Sequence, residues 1–138
     1  MISQIAVFLE NKKGRLADMT RVLGDAGVDL VALTIADTKE FGIVRFVTKD
    51  NDKVLRVLKE AGYTATKTEL VGIEVADVPG GLSAVLKVLG DGGAEIEYLY
   101  SFAGTHTGKA AILFKVADVT NTVRLLTENG IELIEKLF

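Results

Sequence analysis

The stretch GRLADMTRVLGDAGVDLVAL, residues 14–33, returns as GGLSAVLKVLGDGGAEIEYL, residues 80–99. At this shift of 66, Gly14, Leu16, Val22, Leu23, Gly24, Asp25, Gly27 and Leu33 meet identical residues at Gly80, Leu82, Val88, Leu89, Gly90, Asp91, Gly93 and Leu99. Eight identities in 20 positions compare with about one or two expected from ordinary composition. Further on the shift becomes 68, and Arg56, Leu58, Glu60 and Gly62 return as Arg124, Leu126, Glu128 and Gly130, the two extra residues falling around Thr105-His106-Thr107-Gly108. The chain therefore reads as two homologous halves, 1–70 and 71–138, joined with almost no linker.

Periodicity orders the interior of each half. Ile5, Val7 and Leu9 alternate with Ala6 and Phe8, as a strand requires. From Leu16, apolar residues recur at Met19, Val22, Leu23 and Ala26 with helical spacing, and Gly24 and Gly27 mark the exit. Val28 to Ala36 is aliphatic and β-branched, Asp37-Thr38-Lys39-Glu40 is a polar turn, and Ile43 to Thr48 makes a second strand of a hairpin. Asp50 suits the cap of a helix carrying Val54, Val57, Leu58 and Ala61 on one face, Gly62 stops it, and Tyr63 to Leu70 closes the half as a strand. The second copy runs Val71–Ala76, Leu82–Leu89, Ala94–Phe102, Ala110–Val116, Val119–Glu128 and Ile131–Leu137.

This β-α-β-β-α-β order, written twice, has a preferred solution. Right-handed crossovers place the four strands of each half in one antiparallel sheet of order 4-1-3-2, with both helices on one face, the ferredoxin-like α+β arrangement. Units of 70 residues bury little area alone. The first strand is apolar on both sides, and Tyr98, Tyr100 and Phe102 line one side of the strand Ile96–Phe102, so the halves are expected to pack together and two chains to associate. In the alternative, the aromatics lie over the helices.

Composition narrows the function. The 138 residues are 49% hydrophobic and 25% charged, with 16 Lys plus Arg against 19 Asp plus Glu, the profile of a soluble globular protein. A net charge of −3 with scattered charges speaks against nucleic acid and membrane surfaces as partners. No apolar run approaches the roughly 18 residues of a membrane span, and no secretory signal opens the chain, so a cytoplasmic location is expected. The absence of cysteine removes disulfides, thiolate nucleophiles and thiolate metal sites. The single histidine, His106, sits in a Gly-flanked loop and reads as solvated rather than metal-bound. No cofactor and no catalytic residue is expected.

The chemistry resides in the turn that leads from the first strand of each half into its first helix: Asn11-Lys12-Lys13-Gly14-Arg15-Leu16 and Asp77-Val78-Pro79-Gly80-Gly81-Leu82. A helix N-terminus offers unsatisfied N–H donors and partial positive charge, and glycine lets a ligand reach the backbone. A carboxylate fits there. Asn11 or Asp77 could accept from an ammonium group, which makes each turn complementary to both ends of a free amino acid. The blander reading is that Asn11 and Asp77 only initiate the turn and Gly80 relieves strain. Lys12, Lys13 and Arg15 could draw an anion, or be merely solvated. Gly90-Asp91-Gly92-Gly93 is a repeated helix terminus rather than a phosphate loop, since no Gly-Lys-Ser/Thr follows.

The duplicated order, with Asn11-x-x-Gly14-x-Leu16 and Asp77-x-x-Gly80-x-Leu82 followed by Val-Leu-Gly-Asp-x-Gly before the second strand, resembles a tandem pair of ACT domains, regulatory modules that bind amino acids. The resemblance covers nearly the whole chain. It implies a site for a free amino acid at an interface between modules, built from the turn of one and the second strand of its neighbour. It places Asn11 to Leu16 and Asp77 to Leu82 in that site, with Leu33, Thr34, Ile35, Leu99, Tyr100 and Ser101 as facing-strand candidates. It also implies a stand-alone, non-catalytic regulator that could signal to a metabolic enzyme; the homodimer is expected instead from the small area each unit buries.

Other readings are weighed against it. A ligand-free interaction subunit of an amino-acid biosynthetic enzyme such as acetolactate synthase would use a strand edge such as Ala94–Phe102, although a complete second module fits that role poorly. A ferredoxin-like metal carrier needs a cysteine pair in its first loop, which this chain lacks. An acyl-phosphate hydrolase is echoed only loosely by Gly14-Arg15 with Asn11.

Overall fold

Alternation in the first strand produces the expected two-faced element: in β1 (Ile2–Glu10), Ile5, Val7 and Leu9 are buried while Phe8 remains 48% exposed. The computed structural model describes residues 1–10, 12–37, 41–103 and 106–137, with only the backbone of Asp37 and Ala103. From β1 the chain continues through α1 (Arg15–Asp25), β2 (Ala32–Asp37), β3 (Phe41–Val47), α2 (Asn51–Glu60), β4 (Thr64–Ala76), α3 (Gly81–Asp91), β5 (Ile96–Ala103), β6 (Lys109–Val116) and α4 (Val119–Glu128). It divides into two compact units, Ser3–Thr68 and Glu69–Phe138, the latter including Met1–Ile2.

In the first unit the sheet order is β2-β3-β1-β4, the 4-1-3-2 order of the ferredoxin-like arrangement. β1 pairs antiparallel with β3 in the register Ile5↔Phe46 and Val7↔Val44, and β3 pairs antiparallel with β2 through Leu33↔Phe46 and Ile35↔Val44. Ile5, Val7, Val44 and Phe46 share one face and join Met19 and Leu23 of α1, Val54 and Leu58 of α2, and Tyr63 in one core. Phe8 and Phe41 stack on the opposite face, with ring centroids 4.8 Å apart. Asp50 caps α2 as its position suggests, its Oδ1 accepting from the Lys53 N–H at 3.1 Å.

The second unit repeats the scheme with β4, β6 and β5 side by side. Its core gathers Val71, Ile73 and Val75 of β4, Ile112, Phe114 and Val116 of β6, Val85 and Leu89 of α3, and Leu125 and Leu126 of α4. Asp118 caps α4 by accepting from the Asn121 N–H at 3.0 Å. The aromatic row lies away from the helices: Tyr98, Tyr100 and Phe102 stand opposite Lys115, Leu113 and Ala111, whereas Leu99 stands opposite the core residue Phe114.

Three details differ from the sequence reading. The strands Tyr63–Leu70 and Val71–Ala76 are one 13-residue strand, β4, from Thr64 to Ala76, because no turn sequence or proline separates the two stretches. The second strand of the first half begins at Ala32 rather than Val28; the backbone first closes the helix end, Val28 N–H donating to Leu23 O at 2.9 Å. The last segment, Ile131–Leu137, makes a single antiparallel bridge, Leu133 to Ile73, joined by Ile134 N–H donating to Gly72 O at 2.7 Å.

Candidate functional site

Both turns are set by glycine in the left-handed region, Gly14 at φ 85° and ψ −6° and Gly80 at φ 86° and ψ −7°. An L side chain is strained there, so the repeat keeps glycine at both. Each glycine is an N-cap without a side-chain hydrogen bond, and its carbonyl takes the first helical bond, from Asp18 N–H at 2.9 Å and Ala84 N–H at 3.1 Å. Two residues further back, Arg15 N–H donates to Lys12 O at 3.2 Å and Gly81 N–H to Val78 O at 3.0 Å. The result in each unit is a helix start that presents backbone rather than a capping side chain, the arrangement that accepts anions.

Of the residues expected in the site, Lys12, Lys13, Gly14 and Leu16 are exposed and Arg15 is half-buried; Asn11 lies outside the described residues. Asp77, Val78, Pro79 and Gly80 are exposed, and Gly81 and Leu82 half-buried. Among the strand candidates, Leu33, Ile35 and Ser101 are exposed, Thr34 and Leu99 half-buried, and Tyr100 buried. β3 stands between β1 and β2, and β6 between β4 and β5. The chain thus gathers each turn within its own unit but does not set a unit's turn beside that unit's own second strand in the sheet.

The side chains around the two turns differ. In the first unit Lys12 Nζ holds Glu10 Oε2 at 2.9 Å, and this hydrogen bond lowers the Glu10 carboxyl below its ordinary range. The Arg15 guanidinium lies over the Tyr63 ring, 5.0 Å from its centroid, a cation–π contact, and its Nε is buried without a hydrogen-bond partner among the described residues. The Tyr63 hydroxyl donates to Asp18 Oδ2, and Arg21 Nη2 donates to Asp18 Oδ1 at 2.6 Å. The positive residues expected to attract an anion are therefore partly engaged within the unit. Tyr63 lies far from α1 in sequence, which is why the sequence reading did not find this cluster.

That cluster has a pH signature. The hydrogen bond from Tyr63, then that from Arg21, depresses the Asp18 carboxyl, while burial and then Asp18 raise the Tyr63 phenol. A depressed carboxyl favours the folded state above its unfolded value of 3.8 and loses that contribution as pH falls through the folded value. The melting temperature of the wild type is expected to exceed that of Asp18→Asn by a small, constant margin at neutral pH, and the gap to close as the pH falls below 3.8. A gap that stays constant throughout would contradict the contact.

In the second unit the same place is open. A cleft of about 490 Å³ is lined by Glu74, Val75 and Ala76 of β4, Gly81, Ala84 and Val85 of α3, Lys109 at the start of β6, and Gly130, Ile131 and Glu132. Glu74 Oε2 lies 2.9 Å from His106 Nδ1, so the exposed histidine is hydrogen-bonded to a carboxylate. No group of three or more His, Cys, Asp or Glu arranged to hold a metal occurs among the described residues. No helix among them is long and apolar enough to cross a membrane.

A duplicated ferredoxin-like unit, each copy entering its first helix through an uncapped left-handed glycine, defines a class of tandem α+β modules. The model of the family described as an ACT domain pair matches residues 1–137, and the chain belongs to that family. A crystal structure of a Bacteroides thetaiotaomicron protein is 37% identical, covers 96% of this chain and 91% of its own, and superposes with a TM-score of 0.89. The regulatory subunit of aspartate kinase from Thermus thermophilus, in its ligand-free form, is 15% identical over 91% of each chain, with a TM-score of 0.64, and the regulatory subunit of aspartate kinase from Thermus flavus is 15% identical with a TM-score of 0.63, covering 91% of this chain and 90% of its own. At that identity the two Thermus proteins share the fold. No curated protein matches.

Proposed function

We infer that this chain is a non-catalytic regulatory protein whose two ACT-like domains, 1–70 and 71–138, bind a free amino acid at an interface between modules and signal by changed packing. The observation that carries the reading is the pair of turns at Gly14 and Gly80, alike in backbone angle and without a side-chain cap hydrogen bond among the described residues. The carboxylate of the ligand meets the helix amides, and Asn11 or Asp77 takes its ammonium group. Membership of a regulatory family supports the role. Two chains associate in the cytoplasm, and a metabolic enzyme is the partner that reads the change.

A thermal-shift panel of the common amino acids tests this. A ligand that binds only the folded state at 100 times its dissociation constant adds about 2.7 kcal/mol, enough for a melting shift of several degrees. At least one amino acid is expected to give that shift, and Asn11→Ala or Asp77→Ala to diminish it. No shift with any of them at millimolar concentration would sink the reading.

A second reading, a ligand-free interaction subunit, is favoured by Leu33 and Ile35, 45% and 48% exposed on β2, the terminal strand of its unit's sheet. Such an edge suits strand pairing with a partner. Charging it by Leu33→Lys should abolish recruitment of the partner while amino acids leave the melting temperature unchanged.

A further inference from the structure

Asn129 is the one asparagine of the chain followed by glycine; Asn11, Asn51 and Asn121 precede Lys12, Asp52 and Thr122. In an Asn-Gly pair the glycine amide attacks the neighbouring side chain most readily, because no side chain stands in its way. The pair lies at the end of α4, where Asn129 is the C-cap at φ −99° and ψ 14° and Gly130 follows at φ 71°. By the repeat shift of 68 these residues correspond to Ala61 and Gly62 of the first unit, where Ala61 is the C-cap of α2 at φ −83° and ψ 2°. The backbone makes this turn without an asparagine.

The two helix ends differ in one hydrogen bond. In α2 the Ala61 N–H donates to Val57 O at 3.1 Å, whereas in α4 the Asn129 N–H donates to Leu126 O at 3.2 Å. Leu125 O, the counterpart of Val57 O, accepts instead from Asn129 Nδ2 at 2.8 Å. The side-chain amide has taken over a bond that the backbone makes in the first unit. Beyond it, Gly130 N–H donates to Thr127 O at 3.1 Å and Ile131 N–H to Leu126 O at 2.9 Å, which leads the chain into the segment that meets β4 at Leu133. This closed arrangement keeps the amide unreactive. Attack requires the Gly130 nitrogen to swing round until it eclipses Asn129 Cβ, and a ψ of 14° turns it away.

We propose that Asn129-Gly130 is a deamidation site gated by the end of α4, and that its conversion holds that end open. When the helix end frays, the Gly130 nitrogen bonds to Asn129 Cγ, the Cγ–Nδ2 bond breaks, and the Gly130 amide proton leaves with Nδ2 as ammonia. Water then opens the ring to aspartate, or to isoaspartate, which lengthens the backbone by a methylene. Asn129 is exposed, so water reaches it. Reclosure is opposed twice over: the donor that faced Leu125 O has become an acceptor, and a negative charge stands at the partially negative end of α4, beside Glu128. A transient local opening thereby becomes a lasting loosening of the segment after Gly130. The first unit, with Ala61, has no such step.

Incubation of the full chain at mildly alkaline pH, followed by peptide mass mapping, tests this against a synthetic peptide of residues 127–133, which cannot close. The mass gain identifies Asn129 and excludes Asp91-Gly92, whose ring opens again without a change of mass. The peptide converts, the folded chain converts at least about tenfold more slowly, and denaturant brings the chain to the peptide's rate. Asn129→Asp, which carries the product's charge, speeds hydrogen exchange at the Gly130 and Ile131 amides about threefold or more. Asn129→Ala, the first unit's residue, leaves that exchange near the wild-type rate. A folded chain that converts as fast as the peptide overturns the proposal, and so does equal exchange in the Asp and Ala variants.

Discussion

Phe46→Ala is expected to destabilise the first unit by about 3–5 kcal/mol, the usual cost of emptying a buried aromatic site. Phe46 is fully buried, stands opposite Ile5 in one neighbouring strand and Leu33 in the other, and packs in the core that holds Met19 and Leu58. A unit of this size rarely has more than about 3–5 kcal/mol in hand, so the loss leaves residues 3–68 largely unfolded at room temperature. Phe114 occupies the corresponding place in the second unit, also fully buried, and Phe114→Ala should do the same there. Hydrogen exchange resolved by segment reads both: protection should vanish in the unit that carries the substitution. Protection retained in β1 and β3 of Phe46→Ala would refute the core assignment.

Gly81→Ala is the second large effect, and its cause is different. A Cβ on Gly81 would stand 2.2 Å from the carbonyl oxygen of Ala76, a backbone atom that moves only if the start of α3 lifts from the end of β4. The expected cost is about 1–3 kcal/mol or more, read as a lower denaturation midpoint. Gly92→Ala is the internal comparison. Its Cβ would meet Leu125 Cδ2 at 2.4 Å, Cδ1 at 2.5 Å and Cγ at 3.0 Å, but these are side-chain atoms that can shift where a backbone carbonyl cannot, so the loss should be smaller. Equal midpoints for the two variants would show that α3 is not seated on β4 as described. The first unit has Arg15 at this position, so a side chain is tolerated at the start of α1 and not of α3.

The fold was legible because it is written twice. A lone pattern of Leu16, Met19, Val22 and Leu23 is an amphipathic helix and nothing more; its return at Leu82, Val85, Val88 and Leu89 assigns the helix to a unit, and the strands follow from what lies between. Legibility ended where local rules stop. Nothing in Leu70-Val71 distinguishes a break between strands from one continuous strand, since no turn residue marks the joint and a strand-forming stretch lies on each side. The segment after Gly130 has the alternation of a strand, yet whether it zips fully onto β4 depends on pairing across some 60 residues of chain, which periodicity does not encode.

The candidate site was legible in part for the same reason. Gly14 and Gly80 stand out because the repeat keeps glycine at the position where the backbone is left-handed. The contacts of Arg15 with Tyr63, and the cleft that replaces them, are tertiary. Their trace in the sequence is the set of positions where the repeat fails: Arg15 against Gly81, Asp18 against Ala84, Tyr63 against Ile131. Identities between the halves report the shared scaffold, whereas these differences report how the two turns diverged chemically.

The most direct measurement for the regulatory reading is a nuclear magnetic resonance titration of the amide-labelled full chain with the amino acid that stabilises it most. The reading predicts that the amide signals of Gly14, Arg15 and Leu16, of Gly80, Gly81 and Leu82, or of both sets, move in a saturable way with the ligand. Saturable movement confined to other residues, with those six amides stationary, would contradict it.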